Sequence, residues 1–227
     1  LSFRNPLLYP QFSVLDPSKT FTLPATQVAN GVVDAFVHTT EQYLTYPVQA
    51  MVQDRFAEGL LQTLVEIAPQ AVASPDDYAT RANLMWTATL ALNGLIGAGV
   101  PQDWATHMIG HELTALYDID HARTLALVLP ALLDVQREQK RGKLLQFGER
   151  VWNITQGSDD ERIDMAIAST RAFFEGLGIP TRLSAYQLGQ DAVEAVLKQL
   201  EAHGMTSLGE HRDIDLARSR RILEAAL

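Results

Sequence analysis

Apolar residues recur at three- and four-residue spacing along most of the chain, which is the spacing of one buried face of an α-helix. The first such run starts after Pro24, includes Val28, Val32 and Phe36, and ends ahead of Pro47 at about residue 46. Proline ends it because the ring has no amide proton and disfavours a helical residue before it. The same pattern predicts further helices near 48–72, 75–92, 101–116, 121–129, 131–152, 159–177, 190–203 and 213–226. The sequence therefore predicts a mostly α-helical fold.

Residue types at the ends of these runs predict where some of the helices begin and end. Ser74 is the expected cap of the third helix, with Pro75 at its first position. Pro101 is expected to begin the fourth helix, and Pro130 to end the helix that follows His121.

Residues 12–15 carry the one convincing strand pattern, and Asp16-Pro17 closes it with a turn. A lone strand has no partner within this chain, and an unpaired strand edge leaves backbone groups unsatisfied. The sequence also has a weak signal for a domain boundary near residue 155. The amphipathic helices on both sides of it favour a single packed unit instead.

Composition and charge exclude several classes of function. The chain has 227 residues, a formal net charge of −9 and no cysteine. A nucleic-acid partner is not expected at this charge, and neither disulfides nor thiolate metal sites can form. No apolar run approaches the ~18 residues of a membrane span, so we expect no membrane partner. The absence of cysteine fits a reducing cytoplasm, which is the expected location. Leu1 is not a start methionine, and we expect the chain to be a piece of a longer protein.

Five residues together make a candidate metal site. Asp34 and His38 lie four residues apart in the first helix, so both side chains share one face. His107 and His111 repeat that spacing in a later helix, and His121 follows ten residues further on. One carboxylate and up to four imidazoles, with no cysteine to compete, suit Fe²⁺ or Zn²⁺.

The spacing of these residues leaves the coordination open. A catalytic metal keeps a free position for substrate, so one of the four histidines is expected to stand beside the metal without binding it. In the alternative interpretation, the same side chains are paired separately in the core and at the surface. The remaining histidines, His203 and His211, lie in polar surroundings and are expected at the surface.

The sequence lacks the common motifs of hydrolases. A zinc protease needs a glutamate directly after the first histidine of its pair, whereas here Glu112 follows the second histidine. Neither a nucleophile elbow nor a P-loop is present. The main alternative to a redox enzyme is a non-catalytic helical metal-binding or dimerisation module.

Three stretches of the sequence resemble the iron-containing (group III) alcohol dehydrogenase family. They are 15–41, with GVVDAFVH at its centre; 94–111, with GLIGAG leading to HMIGH; and 121–130, HARTLALVLP. The resemblance covers essentially the whole chain and extends to bacterial NADPH-dependent aldehyde reductases and butanol dehydrogenases of broad specificity. One departure is Ala122, where the family usually has glycine after the last histidine.

The resemblance implies a role for each candidate residue. The metal ligands would be Asp34, His38, His107 and His121. His111 would lie beside the nicotinamide and the substrate, in a proton-relay or orienting role. Leu23 and Gln27 would touch the cofactor.

The resemblance also implies what the whole protein does. We expect an NADP(H)-dependent enzyme that interconverts a small aldehyde and a primary alcohol, with the metal polarising the carbonyl for hydride transfer. The fold would be the helical C-terminal domain of the dehydroquinate synthase-like type, at 25–227. Residues 1–24 would be a strand and linker from an absent α/β nucleotide-binding domain that binds most of the cofactor. The chain alone is then expected to be folded but inactive, and a homodimer is left open.

Overall fold

The computed structural model describes residues 5–227, which fold into nine α-helices. They are α1 (Ala25–Tyr43), α2 (Met51–Ala73), α3 (Tyr78–Leu92), α4 (Ala105–Tyr117), α5 (His121–Val135), α6 (Arg141–Trp152), α7 (Asp159–Gly176), α8 (Gln190–Ala202) and α9 (Leu216–Ala225). Short 3-10 helices lie at Pro6–Leu8, Pro17–Thr20 and Leu183–Tyr186. Extended pairing within the described range is limited to an isolated bridge between Leu208 and Ile214. The prediction of an all-α fold is confirmed.

A single hydrophobic core runs through all of these helices, with α1 and α5 at its centre. Phe36 of α1 is fully buried among the rings of Phe147, Trp152, Phe173 and Phe174. Aromatic rings at this spacing contribute roughly 0.5–1.5 kcal/mol per pair beyond the burial of their surface. The core continues on both sides of residue 155, so the amphipathic helices there form one packed unit.

The start of α3 differs from the prediction. The helix begins at Tyr78, because the side chain of Asp77 caps it by accepting two backbone amide protons. Ser74 and Pro75 lie outside α3, and Ser74 follows the last residue of α2 instead.

The start of α4 and the end of α5 also differ. Trp104 has a left-handed backbone (φ 63°), which interrupts any helix begun at Pro101, so α4 starts at Ala105. Pro130 lies inside α5, which continues to Val135. The lost backbone hydrogen bond is tolerated there because nearly all of the side chains around Pro130 are buried in the core.

The expected strand at 12–15 is not formed. Those residues are irregular, and Phe12 and Val14 are 81% and 82% exposed. A strand is stable only when its backbone hydrogen-bonds to a second strand, and the described part of the chain offers this segment none. Across residues 5–227, no helix combines the length and the apolarity that crossing a bilayer requires.

Candidate metal centre

Three helices bring an aspartate and three histidines to one place. Asp34 and His38 lie one turn apart on α1, His107 lies in the first turn of α4, and His121 is the first residue of α5. Asp34, His107 and His121 each offer a ligand atom, and these atoms lie within 4.8 Å of one another. Ligand atoms on one tetrahedral zinc ion, at ~2.1 Å from it, are about 3.4 Å apart. The distance of 3.4 Å from Nε2 of His121 to Oδ1 of Asp34 agrees with that geometry.

Two atoms at the centre of this group have no hydrogen-bond partner. Oδ1 of Asp34 and Nε2 of His107 are both buried, and neither has a hydrogen-bond partner in residues 5–227. Leaving a buried polar atom unpaired costs about 1–3 kcal/mol, so such atoms usually mark a group that binds there. A carboxylate oxygen and an imidazole nitrogen are donors that Fe²⁺ and Zn²⁺ accept, and the residues therefore fit a divalent cation.

His107 is held by a carboxylate on its far side. Its Nδ1 is hydrogen-bonded to Oε2 of Glu41, and Oε1 of Glu41 accepts the backbone amide proton of Thr106 at 2.6 Å. This pairing orients the ring so that Nε2 points to Asp34 and His121. Burial, together with the carboxylate of Asp103, raises the pKa of Glu41 to about 8.

His38 lies against this group but outside its tightest part. Its Nδ1 is 2.8 Å from the backbone oxygen of Asp34, and its ring centroid is 4.4 Å from that of His107. A carbonyl oxygen can only accept, so Nδ1 carries the proton and the lone pair is on Nε2. His38 thus has the tautomer that a metal ligand needs, although its ring nitrogens are not among the three mutually close atoms.

The electrostatics of Asp34, His107 and His121 favour the forms that bind a cation, whereas at His38 the hydrogen bond and charge of Asp34 outweigh burial and raise the pKa of the imidazole. Burial lowers the pKa of His107 and of His121 to about 4, so both rings are neutral at neutral pH. Burial alone would raise the pKa of Asp34, but the hydrogen bond from His38 and the nearby histidines outweigh it and lower that pKa. Neutral imidazoles and an ionised carboxylate are what metal coordination requires.

His111 lies beside the group without joining it. Its ring stacks on that of His121 with centroids 4.9 Å apart, and lies 5.9 Å from the ring of His107. Burial lowers the pKa of His111, which keeps this imidazole neutral as well. It is placed where a side chain could reach a molecule bound next to a metal.

The other two histidines lie away from this centre, as expected. His203 is exposed and its Nδ1 is 2.8 Å from the buried carboxylate of Glu112. His211 is also exposed and its ring lies 4.9 Å from that of Tyr46.

The two residues expected to touch the cofactor lie on one cavity. Leu23 and Gln27 line a space of about 410 Å³ between the start of α1 and α3. The cavity reaches Gly31, which is one helical turn before Asp34 on the same face of α1. The cavity therefore lies about one turn of α1 from Asp34, although none of the candidate metal ligands lines it.

Comparison with known proteins places the chain in a family. A family model described as "Fe-containing alcohol dehydrogenase family, C-terminal" matches residues 28–227. The chain belongs to the Fe-containing alcohol dehydrogenase family. It carries the C-terminal part, and it spans 58% of the length of a curated relative from Escherichia coli strain K12, NADPH-dependent aldehyde reductase YqhD.

Two curated relatives share much of their sequence with this chain. The chain is 66% identical to that E. coli protein over 225 residues, which are 99% of this chain. It is 39% identical over 208 residues to NADH-dependent butanol dehydrogenase A of Clostridium acetobutylicum, covering 91% of this chain and 54% of the relative. The similarity to aldehyde reductases and butanol dehydrogenases is confirmed.

Solved structures of the family have the same helical fold. The substrate- and cofactor-free form of aldehyde reductase YqhD from E. coli matches with a TM-score of 0.98 and 65% identity, over 99% of this chain and 59% of that one. NADH-dependent butanol dehydrogenase A from Thermotoga maritima matches with a TM-score of 0.89 and 32% identity, over 98% and 57%.

The structure also reveals a positioning residue that the sequence did not. In the sequence, Glu41 stands out only as the last residue of the first family stretch, and its hydrogen bond to His107 spans 66 positions. A signal was present, because Glu41 follows Asp34 by seven residues and His38 by three, which places all three on one face of α1.

Proposed function

We propose that this chain is the metal-binding part of an NADP(H)-dependent alcohol dehydrogenase that also reduces aldehydes. The ligands of the metal are Asp34, His38, His107 and His121. One observation carries the proposal: the buried and unpaired Oδ1 of Asp34 and Nε2 of His107 lie beside His121 in a group less than 5 Å across. Fe²⁺ and Zn²⁺ both suit this donor set.

When bound, a divalent cation supplies Lewis-acid chemistry, drawing electron density from the oxygen of a small aldehyde or primary alcohol. The side chains around the cation hold it, orient its ligands and transfer a proton. Asp34 brings one negative charge against the cation, and Glu41 fixes the ring of His107 so that its Nε2 stays aimed at the centre. His111, stacked on His121 and neutral at neutral pH, is the group placed to pass a proton to or from the substrate oxygen.

The hydride comes from a nicotinamide, for which this chain supplies only part of a site. Leu23 and Gln27 line the cavity that reaches Gly31 and would contact the cofactor there. Residues 1–24 would be the linker from a nucleotide-binding domain, and 25–227 the metal-binding domain. By this proposal the 227-residue chain binds metal but does not transfer hydride alone, because a nicotinamide must be held within about 3–3.5 Å of the carbonyl carbon.

The second candidate function is a non-catalytic helical metal-binding module, which the same metal site would support. Turnover separates the two. A polypeptide that includes the expected nucleotide-binding half should oxidise NADPH when butanal is added, and should lose this activity after the metal is chelated and regain it when Fe²⁺ or Zn²⁺ is restored. NADPH oxidation that is absent with every metal would leave only the non-catalytic module.

A direct metal titration tests the site itself. The 227-residue chain, treated with chelator and then dialysed against Zn²⁺ or anaerobic Fe²⁺, should hold one ion per chain by elemental analysis. Stoichiometric binding that persists in the double variant Asp34→Ala, His107→Ala would contradict the site.

A further inference from the structure

Each buried charged side chain in residues 5–227 contacts an oppositely charged side chain or a histidine, with one exception. Lys140 lies between Asp103 and Glu210, and Lys143 pairs with Asp54. The other buried carboxylates have partners as well: Glu58 contacts Arg55 and Arg150, Glu41 contacts His107, and Glu112 contacts His203. The exception is Arg81.

Arg81 is only 2% exposed, in the second turn of α3. Its Nε donates to the backbone oxygen of Pro75 at 3.0 Å, and the described part of the chain gives its guanidinium no other hydrogen bond and no salt bridge. Burial lowers the pKa of Arg81, with no carboxylate acting against it. A guanidinium has five N–H donors, so the contact with Pro75 accounts for only one of them.

A buried and unpaired cation is costly, and proteins generally place a charge in the interior only with a partner. Fixing the start of α3 to the end of α2 would explain the bond to Pro75 but not the charge. A neutral donor such as glutamine could make that bond without the desolvation cost.

Arg81 lines the cavity of about 410 Å³ that reaches Gly31, one helical turn before Asp34. Most of the cavity wall is apolar, with Leu23, Val28, Leu84, Met85 and Ala88 contributing to it. Gln27 is exposed at the same cavity, and its side-chain amide has no hydrogen-bond partner within residues 5–227. The cavity thus combines an apolar wall, one unpaired cation and one free amide.

We propose that this cavity binds a small ligand through an anionic oxygen group, a phosphate or a carboxylate, which pairs with Arg81 and accepts from the amide of Gln27. Guanidinium groups bind both kinds of anion through charge-assisted hydrogen bonds. Two sources fit the proposed function, on which the identity of the ligand rests: a phosphate of the nicotinamide cofactor, or a carboxylate carried by the aldehyde or alcohol substrate.

Calorimetric titration of the metal-free 227-residue chain tests the site without any turnover. Inorganic phosphate and acetate are titrated separately, at constant ionic strength set with sodium chloride. Saturable binding of at least one anion is expected. A preference for phosphate points to the cofactor as the source, and a preference for acetate points to the substrate.

Two variants locate the binding. Arg81→Met should weaken it by ~10-fold or more, since a hydrogen bond to a charged group is worth about 1.5–3 kcal/mol. Arg221→Met is the matched control, because Arg221 is exposed and has no ion pair in the described residues, and it should bind as the unmodified chain does. Gln27→Glu, a change at an exposed position, should also abolish binding by placing a negative charge at the cavity, and it decides the matter if circular dichroism shows Arg81→Met to be unfolded.

The proposal is overturned if neither anion binds saturably, or if folded Arg81→Met or Gln27→Glu binds as tightly as the unmodified chain. Metal binding is measured on separate portions of the same proteins after dialysis against Zn²⁺, and Arg81→Met should still hold one ion per chain. Metal binding without anion binding would remove this inference alone, whereas anion binding without metal binding would remove the proposed function.

Discussion

Nδ1 of His107 and the carboxylate of Glu41 are hydrogen-bonded in the buried wall of the candidate metal centre. The second oxygen of Glu41 accepts the backbone amide proton of Thr106, so the carboxylate is fixed at both ends. A histidine that binds metal through Nε2 carries its proton on Nδ1, and a carboxylate there makes the ring a stronger ligand. The metal centre therefore depends on a residue that does not touch the metal.

Replacing Glu41 with glutamine should weaken metal binding while leaving the ligands in place. The amide can still contact His107 but cannot ionise, whereas the carboxyl of Glu41, whose pKa burial raises to about 8, carries a negative charge above that pH. Loss of such a carboxylate partner typically costs 10–100-fold in metal affinity, so both proteins are compared at a pH above 8. Competition with a chromophoric chelator measures the dissociation constant. Glu66→Gln, at an exposed position with no ion pair in the described range, is the control and should not change it. An unchanged affinity in Glu41→Gln would mean that the pair has no part in metal binding.

Alanine substitutions should separate the histidines into two groups. His107→Ala and His121→Ala each remove a nitrogen from the group around Asp34, and they should lower metal affinity far more than His203→Ala or His211→Ala. The last two remove exposed rings that pair with Glu112 or lie beside Tyr46. Metal content after dialysis, by elemental analysis, distinguishes the groups, and equal losses in all four would contradict the assignment.

His111 should behave differently from the ligands. Its ring lies beside His121 but outside the three mutually close ligand atoms, so His111→Ala should retain one metal per chain. In a polypeptide with the nucleotide-binding half, the same variant should lose most of its turnover. A loss of metal as large as that of His107→Ala would make His111 a ligand.

The sequence predicts α1 and the composition of the candidate site well, for identifiable reasons. Pro24 and Pro47 bracket a run with clear helical spacing, and the helix ends within a few residues of both. The same run fixes Asp34 and His38 on one face, whatever the rest of the chain does. Local spacing is sufficient here because Asp34 and His38 lie in the same helix and the two prolines lie just outside its ends.

Relationships between helices could not be predicted in this way. The left-handed backbone of Trp104 has no local signal such as a glycine, and it moves the start of α4 past Pro101. Pro130 is accommodated because tertiary packing buries the helix around it, which outweighs its intrinsic preference. The lack of a carboxylate near Arg81 is likewise visible only after every buried charge has been placed.

The stability of the chain should depend on the ionisation of Glu58. Burial alone would raise the pKa of this carboxyl, but hydrogen bonds from Arg150, Gln146, Arg55 and Tyr43 outweigh burial and hold it below the ordinary value of 4.5. A lowered pKa in the folded state means that Glu58 stabilises the fold above pH 4.5 and that this contribution is lost as the pH falls through the folded pKa.

The corresponding measurement compares the chain with Glu58→Gln by urea denaturation at several pH values. Between about pH 5 and pH 3 the free energy of unfolding should fall more steeply in the unmodified chain than in the variant, which has no carboxyl to titrate at this position. Parallel curves over that interval would show that Glu58 is not stabilised by its ionisation.

Removing Lys140 should destabilise the fold strongly. Its Nζ lies 2.7 Å from Asp103, 2.9 Å from Glu210 and 2.7 Å from the backbone oxygen of Leu44, and all three side chains are nearly inaccessible to water. Burial alone would lower the pKa of Lys140, but the two carboxylates outweigh it and raise that pKa, so the amine stays charged. Lys140→Met would leave two buried carboxylates without their cation.

Breaking a buried ion pair from one side costs about 3–5 kcal/mol, and Lys140→Met should lower the free energy of unfolding by that order at neutral pH. Lys198→Met, at an exposed lysine with no ion pair in the described residues, should change it by no more than ~0.5 kcal/mol. The triple variant Lys140→Met, Asp103→Asn, Glu210→Gln removes the stranded charges and should recover part of the loss, because the remaining cost is then that of uncharged polar groups. If the triple variant is no more stable than Lys140→Met, then the loss comes from the packing of the lysine stem and not from the two carboxylates.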